Sequence, residues 1–111
     1  MLQYEIAKSL YEEINEKAVK HPDKEFGDFY QEFLAMAAEY AKTRLSWSFM
    51  DLDARREDDA SRTIKHNALI ARLTAVCRNL GMENIEEIMP DRKRKGDFAC
   101  YIALFLSLEQ R

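Results

Sequence analysis

One hundred and eleven residues, 47 % of them apolar and 33 % charged, make a single domain that is neither a disordered tail nor a membrane protein. Three glycines and two prolines are too few for the many tight turns of a sandwich or barrel. A formal charge of −3 at pH 7 creates no global field toward nucleic acid or anionic lipid. The balance points to a soluble, compact, all-α domain over residues 1–111, long enough to bury roughly 65 % of its unfolded surface.

The first periodic segment runs from about Leu2 to Lys20. Ala7, Leu10, Tyr11, Ile14 and Ala18 recur at three- and four-residue spacing, one stripe of a 3.6-residue helix. Glu12, Glu13, Glu16, Lys17 and Lys20 fill the opposite face. His21-Pro22-Asp23 ends the segment, because proline has no N–H to donate and biases its predecessor away from helix.

The second segment, about Glu25 to Met50, is aromatic-rich. Phe26, Phe29, Tyr30, Phe33, Ala37, Tyr40 and Ala41 form one stripe, and Leu34, Ala38, Leu45 and Phe49 form another beside it. A face that wide touches two neighbours, which places this helix in the middle of the core.

Residues 51 to 62 carry five acids and three arginines with almost nothing apolar. Asp51 or Asp53 suits the N-cap of a third helix, and a start near Asp58 fits the pattern equally well. From Ile64 onward His66, Leu69, Leu73, Val76 and Leu80 alternate by three and four, with Ile70 and Cys77 beside them. Gly81 closes the helix as a C′ residue. Asn84 to Ile88 reads as one helical turn capped by Asn84 and closed by Pro90. The basic run Arg92-Lys93-Arg94-Lys95 and Gly96 follow, and Asp97 opens a last helix from Phe98 to about Gln110. That helix is apolar nearly all round. Alanine, leucine and cysteine favour helix there over a buried strand, since only Ile102 is β-branched. The architecture expected is an up-and-down bundle of four main helices with a short helical turn between the third and fourth.

Chemistry is sparse in this chain. His21 sits in a turn without ligand spacing; His66 lies on an apolar stripe, where its ring needs a partner such as Asp58 or Asp59. Glu12, Glu13 and Glu16, with Glu83, Glu86 and Glu87, distantly resemble the acid sets that hold magnesium in helical nucleotide pyrophosphohydrolases. These glutamates fall opposite the apolar stripe, as a solvated face would. No Gly-rich phosphate loop, Gly-x-Ser-x-Gly or Cys-x-x-Cys occurs, so no enzyme, cofactor or metal site is expected. Cys77 and Cys100 lie in apolar helical patterns and read as buried, reduced thiols of a cytoplasmic protein. The amino terminus carries no signal-peptide pattern, and the longest apolar run, Phe98 to Leu106, is about half a membrane span.

Two features read as contact surfaces. The basic run Arg92, Lys93, Arg94 and Lys95 precedes a helix N-terminus, where free N–H groups attract anions; it has no aromatic platform for bases. The all-round apolar last helix needs cover on every side, and what the bundle leaves open would be a partner or dimer surface, assigned to Phe98, Tyr101, Ile102 and Phe105.

The stretch Lys65-His66-Asn67-Ala68-Leu69-Ile70, with Pro90-Asp91-Arg92-Lys93 and Gly96-Asp97-Phe98-Ala99, resembles a small bacterial family of uncharacterised helical proteins. The layout of a first helix bearing Leu10-Tyr11 and a break at His21-Pro22-Asp23 resembles enterocin-type bacteriocin immunity proteins, which are small cytoplasmic four-helix bundles. These resemblances imply a helical bundle, and the second implies toxin neutralisation. The function expected is a non-catalytic protein–protein interaction module, self-association included. Its alternatives are an immunity protein, an anion or nucleic-acid binder through residues 92–95, and a metal-dependent pyrophosphohydrolase-like enzyme.

Overall fold

The computed structural model describes residues 3–82 and 95–109, with side chains over 4–82 and 98–109. Four α-helices make an all-α bundle: α1 (Gln3–Lys20), α2 (Lys24–Ser48), α3 (Leu52–Asn79) and α4 (Lys95–Ser107). There is no strand among the described residues, and none of their helices is long and apolar enough to cross a membrane. The expected short turn at Asn84–Ile88 lies outside the described residues.

Local chemistry explains each boundary. Asp23 stands before α2 in an extended conformation, and its side chain accepts from the Glu25 N–H. Asp51 does the same for α3, accepting from the Ala54 N–H at 2.8 Å, so the third helix starts at the earlier of its two candidate positions. At the other end of α3, Gly81 takes φ +79°. Its N–H donates to the Arg78 carbonyl while the Met82 N–H donates to Cys77, the paired bonds of a Schellman motif. The last helix begins at Lys95, two residues before Asp97.

Packing order differs from chain order. α4 lies between α1 and α2, and α2 packs in turn on α3. Tyr4 of α1 meets Tyr101 and Phe105 of α4, while Tyr11 meets Phe105 and donates to the Glu109 carboxylate. Advancing along α1 therefore advances along α4, and the two run parallel, so within the all-α bundle the last helix does not continue the strict up-and-down alternation of direction. Phe98, Ala99, Ile102, Ala103 and Leu106 have no exposed surface, which is the cover an all-round apolar helix requires. They share one core with Ile14, Phe33, Leu34, Leu69, Leu73 and Val76.

That core is confined to one part of the molecule. From Ala41 to Ala68, through the last third of α2 and the first part of α3, no residue is fully buried. These two helix segments form an arm joined at Phe49–Asp51, and the long axis of the molecule reaches 47 Å.

Candidate functional site

The two apolar stripes of α2 end differently. The first is buried through Phe26, Tyr30, Phe33, Ala37 and Tyr40. The second begins at Leu34, only 2 % exposed, but its far end holds Leu45 at 63 % and Phe49 at 84 %. Leu45 faces α4 across a groove of about 210 Å³ lined by Ala41, Arg44, Leu45, Ser48, Cys100 and Leu104. Leu104 is 49 % exposed and Leu52, just past the α2–α3 break, is also exposed. Tyr4, Val19, Ile64 and Leu108 are exposed too, but do not line the groove.

The face of α2 toward α3 is held by charge and aromatic surface. The guanidinium of Arg62 lies 4.1 Å from the centre of the Trp47 ring, that of Arg55 4.7 Å and that of Arg44 5.4 Å. Arg55 also donates to the carbonyls of Trp47 and Ser48. It thereby supplies the cation that the last turn of α2 lacks, opposite the negative end of the helix dipole. Arg62 pairs with Asp59. Arg44 makes no salt bridge among the described residues, although it lines the groove.

The four residues expected to form a partner surface turn inward. Phe98 and Ile102 are fully buried, and Tyr101 and Phe105 are half-buried against Tyr4 and Tyr11. The seam between α1 and α2 takes that side of α4, and Leu104 and Leu108 are left outside. Arg92, Lys93 and Arg94 lie outside the described residues; Lys95 is the first residue of α4. Glu12, Glu13 and Glu16 are exposed on α1, and Glu83, Glu86 and Glu87 lie outside the described residues. Asp59 is engaged by Arg62, and the His66 ring stands 6.4 Å from that of Tyr40.

No family model, curated protein or solved structure matches the chain.

The titratable groups inside the bundle are pushed toward their neutral forms. The hydrogen bond to Glu109, helped by desolvation, raises the Tyr11 phenol to about 12. Burial raises Tyr30 to about 12, and burial with the charge of Glu13 raises the Cys77 thiol to about 12. A thiol held neutral in this way is a poor nucleophile. Cys77 and Cys100 are both free, and only Cys100 reaches the groove.

Sequence spacing contained part of this site. The Leu34, Ala38, Leu45, Phe49 stripe was visible, and so was the helical spacing of Arg44 to Trp47 and of Arg55 to Arg62. Which end of the stripe is covered, and that the two arginines of α3 meet Trp47, depend on how α2 and α3 pair.

Proposed function

We propose that the chain is a non-catalytic protein–protein interaction module whose docking surface is the open end of the second stripe of α2, with Leu104 of α4. The observation that carries this reading is the change along one stripe, from 2 % exposure at Leu34 to 84 % at Phe49. Apolar side chains left open at a groove, as Leu45 and Leu104 are, are disfavoured in water unless something docks there. Self-association is one form of this role, and toxin neutralisation of the immunity-protein kind is another.

Selection of helical peptides from a random displayed library tests the reading. Sequences enriched on the wild-type protein should lose retention on a Leu45→Glu, Phe49→Ser variant that melts like wild type. No enrichment, or equal retention by the variant, rejects the surface.

A further inference from the structure

Resting on that reading, we infer that the occupant of the α2–α4 groove is an acidic amphipathic helix of a different protein, not a second copy of this chain. Shape is the first argument. α4 runs parallel to α1, and α1 and α2 are joined by the short break at 21–23, so α2 and α4 lie antiparallel along the groove. A groove between two antiparallel helices accepts a third helix laid along it, whose apolar side chains enter at helical spacing. Ala41, Leu45, Cys100 and Leu104 supply the apolar lining for such a stripe.

Charge is the second argument. Arg44 is the one charged residue lining the groove, and no described carboxylate pairs with it. Its guanidinium shares the Trp47 ring with those of Arg55 and Arg62. Among the described residues Asp59 takes Arg62 and the carbonyls ending α2 take Arg55, which leaves Arg44 as the guanidinium of the three without an acceptor. A guanidinium is a donor only, so Arg44 suits a carboxylate brought by the occupant of the groove.

The same arginine argues against a second copy. An isologous dimer through this groove brings the Arg44 of each protomer into one shared interface, and like charges brought together there oppose association. A partner helix with glutamates or aspartates flanking its apolar stripe meets Arg44 with the opposite sign. The chain is itself acidic overall, at −3, so the attraction is a contact effect and not long-range steering.

Trp47 is the only tryptophan in the chain, and Arg44 rests on its ring, so its emission reports directly on this site. The experiment titrates the full chain with two synthetic amphipathic peptides of about five helical turns. Both carry the same leucine stripe; one is flanked by glutamates and the other by lysines. The expected result is saturable binding of the glutamate peptide, about tenfold tighter than the lysine peptide. Arg44→Glu should reverse that preference. Arg44→Gln, the milder change, should abolish it, and serves alone if the reversed charge unfolds the arm. Equal affinity, preference for the lysine peptide, or no saturable response to the glutamate peptide overturns the inference. A concentration-dependent dimer in sedimentation, abolished by Leu45→Glu, also overturns it while leaving the interaction reading intact. A wild-type monomer that binds neither these peptides nor any displayed sequence removes both.

Discussion

Phe33 inside α2 and Phe49 at its C-cap, sixteen positions apart, stand in opposite circumstances. Phe33 has no exposed surface, whereas Phe49 is 84 % exposed. Around Phe33 the bundle is held by apolar burial, with Leu69, Leu73, Phe98 and Ile102 all closed to water. Around Phe49 the arm is held by guanidinium groups on Trp47, by Arg55 on the carbonyls ending α2, and by the Asp51 cap of α3. Cation–π contacts contribute about 0.5–2 kcal/mol each, and a cap about 1 kcal/mol. Burial of a large side chain contributes more. One end of the molecule is therefore stabilised by what it hides, and the other by polar fastenings that leave its apolar residues free for contact.

The sharpest way to break this contrast is to delete both rings. Phe33→Ala is expected to cost about 3–5 kcal/mol of global stability, and Phe49→Ala within about 0.5 kcal/mol, by urea denaturation. Comparable costs would mean that the arm is closed in solution. A smaller effect should come from Asp51→Ala, which removes the carboxylate accepting from Ala54. A loss of about 1 kcal/mol is expected, felt as faster hydrogen exchange at the start of α3. Amides from Leu69 to Cys77 should keep their protection; if they lose it equally, arm and core open as one unit.

The smallest effect lies at the α1–α4 seam and depends on pH. Tyr11 and Tyr30 both have folded values near 12 against an ordinary 10. The fold favours the neutral phenols, so their contribution is fully present below pH 10. It is lost as pH rises from 10 through about 12. Tyr11→Phe should cost at most about 1 kcal/mol at neutral pH, because the site is largely solvent-screened, and should flatten part of the alkaline decline. An alkaline slope as steep as that of wild type would show that the Tyr11–Glu109 bond is not formed.

The helices and their ends were legible because their signals are local. Asp51 and Gly81 act on backbone groups within a few residues, and those bonds form as the spacing implies, while Asp23, read only as part of a break, also caps α2. Asp58 competed with Asp51 because the intervening stretch holds only Leu52 and Ala54 as apolar residues, and neither is buried in the core to mark where the helix begins. The open surface was not legible for the opposite reason. An all-round apolar helix such as α4 has no stripe to show which side meets water, so Phe98 and Leu104 look alike until neighbours arrive. Trp47 likewise finds Arg55 and Arg62 only through the register of α2 against α3, which no local spacing encodes.

The place of α4 between α1 and α2 has a consequence during synthesis. The bond from Tyr11 to Glu109 joins positions 98 residues apart. At roughly 5–20 residues per second, α1 leaves the ribosome on the order of ten seconds before α4 exists. Until then the faces of α1 and α2 that α4 will cover have no native occupant. The arm needs no such wait, since α2 and α3 are neighbours in the chain and their fastenings are complete by Arg62. Every fastening of the arm is thus present in the nascent chain before the helix that closes the core.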